Sequence, residues 1–110
     1  MQSDIDFDHI SVTDNQAERR YEAPIGDAVA VLEYARDGKR IALIHTGVPN
    51  ELEGHGIAGK LAKFALDDAR SHGLEVIPVC PFVVSYLRRH PDEMDIVAAD
   101  ARDRVTHTEA

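Results

Sequence analysis

Hydrophobic and polar positions alternate through the first half of the chain and then change to a helical period. Over 17–23, Ala17, Arg19, Tyr21 and Ala23 fall on one face and Glu18, Arg20 and Glu22 on the other, the two-residue repeat of a strand. Pro24-Ile25-Gly26-Asp27 has the composition of a turn. Residues 28–36 carry β-formers on both faces, with Val29 and Val31 opposite Leu32 and Tyr34, as suits a central strand. Asp37-Gly38 signals a hairpin. The return strand, 40–46, sets Ile41, Leu43 and His45 on one face and Ala42, Ile44 and Thr46 on the other. These strands predict a three-stranded antiparallel meander.

From 57 to 69 the apolar positions are Ile57, Ala58, Leu61, Ala62, Phe64, Ala65, Leu66 and Ala69, while Lys60, Lys63, Asp67 and Arg70 recur at three- and four-residue steps. That is an amphipathic helix, with Gly73 placed to cap it. Residues 74–79 are nearly all apolar, the mark of a strand buried on both faces. Pro81 suits the first turn of a second helix, whose apolar side is Phe82, Val83, Tyr86 and Leu87 and which Pro91 stops. The order is β-β-β-α-β-α, an α+β (mixed α/β) fold with two helices packing on one sheet. The domain is expected over 16–98, with a polar, flexible lead-in over 1–15 and a flexible tail over 99–110.

A length of 110 residues allows one small domain with a real core. A net charge of −8 repels phosphate backbones and argues against nucleic acid as a partner. Cys80 is the only cysteine, so no internal disulfide can form and a reducing compartment is expected. No apolar run approaches the roughly 20 residues of a membrane helix. The acidic start lacks the order of a signal peptide. Cytoplasmic location with no membrane partner is the expectation.

The most informative stretch runs from Val48 to Leu61, where a strand ends, a glycine-rich loop follows and a helix begins. Gly54 and Gly56 allow close backbone approach, and a helix N-terminus offers N–H groups to a phosphate or pyrophosphate. No Gly-Lys-Ser/Thr is present for a Walker loop. Gly54-x-Gly56-x-x-Gly59 follows an antiparallel meander, and no suitable acidic residue lies in the next strand, so a dinucleotide fingerprint fits poorly. On spacing alone, glycines that merely relieve a tight turn fit as well as a phosphate site.

The run Glu53-Gly54-His55-Gly56-Ile57-Ala58-Gly59-Lys60-Leu61 resembles the acetyl-CoA loop of the Gcn5-related N-acetyltransferases (GNAT), Arg/Gln-x-x-Gly-x-Gly/Ala before an amphipathic helix. Gly56 and Ala58 match the two small positions, and Glu53 replaces the usual Arg or Gln. Together with His45-Thr46, the run from Val76 to Val83 and Tyr86-Leu87-Arg88-Arg89-His90-Pro91, the chain is similar to the minimal acetyltransferase-like subfamily, the YjdJ type. The resemblance implies a mixed sheet whose strands ending near Thr46 and Val79 splay apart around acetyl-CoA. Backbone near Thr46 and Val48 would meet the pantetheine amides. The backbone amides of Gly54, His55, Gly56, Ile57, Ala58 and Gly59 would hold the pyrophosphate. Lys60, Lys63, Arg88 and Arg89 are candidates for the adenosine phosphate, or are plain solvated helix residues.

Three residues are candidates for catalysis. Cys80 follows the buried strand at the start of a helix, a setting that favours a thiolate nucleophile, though a small buried thiol fits equally. His45 is placed across the expected cleft as a base toward an ammonium or that thiol, or as a core histidine. Tyr86 matches the family's helix tyrosine that protonates the departing CoA thiolate, or packs beside Phe82. His9, His55, His72, His90 and His107 show no metal spacing, and no metal is expected. The leading reading is an acetyl-CoA-dependent N-acetyltransferase acting on a primary amine of a small molecule, peptide or protein. The alternatives are a non-catalytic acyl-CoA-binding module and a protein-interaction domain.

Overall fold

A computed structural model describes residues 9–106. The expected lead-in over 1–8 and tail over 107–110 lie outside the described residues. Five strands form one sheet in sequential order: β1 (Thr13–Asn15), β2 (Arg20–Ile25), β3 (Ala28–Asp37), β4 (Arg40–Gly47) and β5 (Glu75–Pro78). The first four are antiparallel, and β5 joins β4 in parallel through the crossover helix α1 (Ile57–Ser71). Helix α2 (Pro81–Arg89) follows β5, and α3 (Asp103–Thr106) closes the described chain. The mixed α/β fold with two helices on a sheet is as expected.

The core follows from parity. Tyr21, Ala23 and Ile25 of β2, Ala30, Leu32 and Tyr34 of β3, Ile41 and Leu43 of β4 and Val76 of β5 are all buried. Against them lie Ile57, Leu61, Ala62, Ala65, Leu66 and Ala69, the inward stripe of α1. The end of α1 is a Schellman cap. Leu74 N–H donates to the Ala69 carbonyl (2.9 Å) and Gly73 N–H to that of Arg70 (3.3 Å), with Gly73 at φ +67°. α2 begins at Pro81 as expected and ends before Pro91.

The ends of the domain differ from the sequence expectation. Thr13–Asn15, expected in the lead-in, is an edge strand paired with β2, and Asp14 accepts the Tyr34 hydroxyl proton at 2.6 Å. Strand β2 begins at Arg20 rather than at 17 and runs through Pro24. Pro24 is tolerated because β1 pairs only with Arg20, Tyr21 and Glu22, leaving β2 without a β1 partner there. Within the expected tail, Ala101 and Val105 are buried, and Arg40 grips Asp100 with two bonds of 3.1 Å. Val97 bridges Val76 beside β5. Small apolar residues at three- and four-residue steps (Ala98, Ala101, Val105) cover the outer edge of β5 and the end of α2, which is why this segment folds back.

Candidate functional site

Strands β4 and β5 pair from Arg40–Glu75 to Leu43–Pro78 and no further. The Leu43 carbonyl accepts from both Val79 N–H (3.0 Å) and Cys80 N–H (2.9 Å), and the chain then turns into α2. Strand β4 continues to Gly47 along β3 alone. The two parallel strands therefore splay beyond Leu43.

A bulge sits at the same point. Leu43 faces Tyr34 and His45 faces Glu33, leaving Ile44 as the extra residue. Leu43 is buried, Ile44 and His45 are both exposed, and Thr46 returns to the helix side opposite Leu32. This corrects the sequence expectation, which set His45 on the Leu43 face and Thr46 on the other. The neighbour of the Cys80 sulfur is therefore the Thr46 hydroxyl at 3.2 Å, not His45. Cys80 is 3% exposed.

Past β4, Asn50–Leu52 forms a 3-10 turn, and the loop enters α1 through Gly54 (φ +87°) and Gly56 (φ +76°). A Cβ at either glycine would meet no atom within 4 Å, so the left-handed backbone rather than crowding requires glycine. The first helical bond is Lys60 N–H to the Gly56 carbonyl, 3.1 Å. The N–H groups of Ile57, Ala58 and Gly59 thus lack intrahelical acceptors. No side chain caps Gly56, and the first turn holds no acidic residue. This donor set fits a pyrophosphate.

These elements enclose a cleft of about 720 Å³, lined by His45, Thr46, Gly47 and Val48 of β4 and its continuation, by Glu53, Gly54 and Gly56 of the loop, and by the first turn of α1. Leu52 and Phe82 supply apolar wall, and Arg89 closes one side. Glu53 is the only carboxylate among the lining residues. Of the expected site residues, the cleft brings together Thr46, Val48, Gly54, Gly56, Ile57, Ala58 and Gly59, with His45 at its rim.

Others lie elsewhere. Arg88 turns toward α3, donating from Nε to the Val105 carbonyl at 2.6 Å. The arginine at the cleft is Arg89, held over the Phe82 ring (5.9 Å) and to Ser85 Oγ (2.9 Å). Positions 82, 85 and 89 share one helical face, a signal present in the sequence. His55 lies in the exposed loop but is not among the cleft's lining residues. Lys60 and Tyr86 line an adjoining depression of about 460 Å³, which shares Gly56 and Gly59 with the cleft and extends past Lys63, Phe64 and Asp67. Tyr86 stacks on His90 (4.1 Å between rings) and lies 4.0 Å from where a Gly59 Cβ would be. Burial, and next the Glu93 carboxylate, push the Tyr86 hydroxyl above its ordinary range.

The GCN5-related N-acetyl-transferase family profile matches residues 20–96. Protein NATD1 of Gallus gallus and that of Mus musculus are each 43% identical to this chain over 63 residues, covering 56% of it and 57% of their own length. The chain therefore spans little more than half the length of these relatives. The solution NMR structure of a GCN5-like protein from Staphylococcus aureus is similar in fold, with a TM-score of 0.65 at 27% identity, covering 81% of this chain and 88% of its own.

Proposed function

The chain belongs to the GCN5-related N-acetyltransferase family, and on that premise we propose that it transfers the acetyl group of acetyl-CoA to a primary amine. One observation carries the reading. The β4–β5 splay opens directly onto a helix N-terminus with uncapped N–H groups, so one continuous cleft offers backbone to amides at one end and N–H donors to a pyrophosphate at the other.

Acetyl-CoA supplies an activated thioester. The residues of this chain bind and orient it. Backbone of Thr46 and Val48 lies along the pantetheine arm, and the N–H groups of Ile57, Ala58 and Gly59 receive the pyrophosphate. Arg89 rather than Arg88 is the guanidinium in reach of the remaining phosphate. His45 at the open rim takes a proton from the incoming ammonium, and the freed amine attacks the thioester carbonyl. As the C–N bond forms the nitrogen becomes cationic, the C–S bond breaks, and the proton that this nitrogen gives up leaves on the CoA thiol. Thr46 and Cys80, joined at the floor of the splay, lie on the helix side of that event.

The position of Tyr86 between the helices supports a second reading, a non-catalytic acyl-CoA-binding module. Calorimetric titration with CoA followed by thioester turnover on an amine panel separates the two. Binding with turnover supports transfer, binding without turnover supports the module, and no binding overturns both.

A further inference from the structure

Resting on the acetyl-transfer reading, we infer that the uncovered face of the sheet docks the acceptor, and that the acceptor is an extended, basic and apolar polypeptide presenting a lysine amine at His45. Helices α1 and α2 meet at Gly59 and Tyr86 and cover the same face, the one holding Leu32, Leu43 and Val76. Among the described residues no helix packs on the other face. The three large hydrophobic side chains exposed on the described surface are Val29 (44%), Ile44 (41%) and Val79 (42%), and all three belong to that bare face by strand parity or by the bulge. With half-buried Val31, Ala42 and Ile77 they put apolar side chains on the bare side of β3, β4 and β5, in two groups parted by the exposed Glu33–His45 pair, Val29 with Val31 on one side and Ile44, Ala42 and Ile77 on the other. Such groups mark a surface meant to be covered.

Charge selects the occupant. Arg20 lies opposite Glu33 in the β2–β3 register and bonds Glu22 at 2.6 Å, while Glu18 and Glu33 also act on its guanidinium. On this face Arg20 thus stands between two carboxylates, Glu22 and Glu33, which leaves excess negative charge beside the apolar side chains. Glu33 in turn faces His45 across β3 and β4. The bare face therefore fits side chains that are alternately apolar and cationic and leads them to the rim of the cleft. A polyamine would satisfy the carboxylates but leave the valines uncovered. A second copy would set the same acidic cluster against itself, in a chain of net charge −8.

The test is an NMR titration of the isotopically labelled full chain with a capped peptide of Val-Ser-Lys-Ser repeats, whose every second residue sets valine and lysine in turn on one face of the extended chain, against spermidine. The peptide is expected to shift amides at Val29, Val31, Glu33, Ile44 and Val79, and to bind at least tenfold more tightly than spermidine. In the double variant Val29→Lys, Glu33→Lys, peptide affinity should fall at least tenfold with CoA affinity unchanged by calorimetry. A peptide footprint elsewhere, equal binding of spermidine, unaltered peptide affinity in the double variant, or concentration-dependent self-association through this face would overturn the proposal. Loss of CoA binding in the unmodified chain would instead sink the acetyl-transfer reading, while the peptide footprint still reports on the docking face.

Discussion

The Thr46 hydroxyl lies 3.2 Å from the Cys80 sulfur and ties together two parallel strands just past the point where they cease to pair. The contact exists because Ile44 bulges from β4. Without the extra residue, His45 would face inward and Thr46 would face solvent. One unpaired residue therefore assigns the two sides of the cleft, with an imidazole at the open rim and a hydroxyl–thiol pair beneath.

Gly56→Asp tests the anion end of the cleft. The carboxylate would sit at uncapped helix N–H groups and repel a pyrophosphate. A left-handed backbone adds strain of about 1–2 kcal/mol, which a domain of this size tolerates. CoA affinity should fall more than tenfold with the far-ultraviolet circular dichroism unchanged. Calorimetry giving wild-type affinity in the folded variant would move the phosphate site elsewhere.

Leu61 is fully buried on the stripe of α1 that meets the sheet. Leu61→Ala should cost about 2–5 kcal/mol in urea unfolding, from lost transfer energy and the cavity left behind. A loss below about 1 kcal/mol would be incompatible with the packing described.

What the sequence discloses depends on whether a feature repeats. The α1 stripe repeats over four turns, and the alternation of β3 and β4 up to Leu43 is regular, so helix, meander and crossover strand were all legible. The bulge is a single event inside Leu43-Ile44-His45-Thr46, where four residues of mixed polarity carry no period to reveal it. Strand β1 is three polar residues held by pairing and by the Tyr34–Asp14 bond, both of which are tertiary. Arg88 and Arg89 are adjacent, so only the helical phase of Phe82 distinguishes the one facing the cleft.

Glu93 sets an acid limit on stability. It is 6% exposed and accepts from Lys63 and Arg70, each at 2.9 Å. Burial pushes its carboxyl up, but the hydrogen bonds from Lys63 and Arg70 outweigh that and hold it below its ordinary 4.5. A carboxyl depressed by folding contributes stability that is fully present above its unfolded value and lost as pH falls through the folded one. Glu93→Gln should therefore be about 1–3 kcal/mol less stable near pH 7, the half-exposed partners keeping the figure modest. It should also show a shallower loss of stability below about pH 4.5 than the unmodified chain. Parallel urea-unfolding curves across that range would deny Glu93 this role.

His45 is the rim residue assigned the acceptor proton. Substitution by glutamine keeps the size and polarity of an exposed side chain, so stability and CoA affinity should hold. Turnover of a primary amine at neutral pH should drop by about 100-fold or more, the usual range for losing a general base. The deficit should shrink at high pH, where the amine arrives already deprotonated. A uniform deficit at every pH would point to positioning rather than proton transfer.

Cys80 is 3% exposed, and the splay past Leu43, where the Thr46 hydroxyl lies 3.2 Å from its sulfur, offers an approach to it. Bound CoA would fill that approach. Iodoacetamide modification, followed by intact mass, should be slow in the free protein and slower still with saturating CoA. Thr46→Ala should speed it by uncovering the sulfur, and CoA should still protect. An alkylation rate that CoA leaves unchanged, with binding confirmed separately, would mean the thioester end of the cleft lies away from Cys80. Protection places the thiol but leaves its chemistry open, which Cys80→Ala decides. Near-normal turnover means the amine attacks the thioester directly and the thiol only packs. Complete loss with CoA binding intact means the acetyl group passes through sulfur, and mass spectrometry of the unmodified chain quenched without acceptor should then show an added acetyl on Cys80.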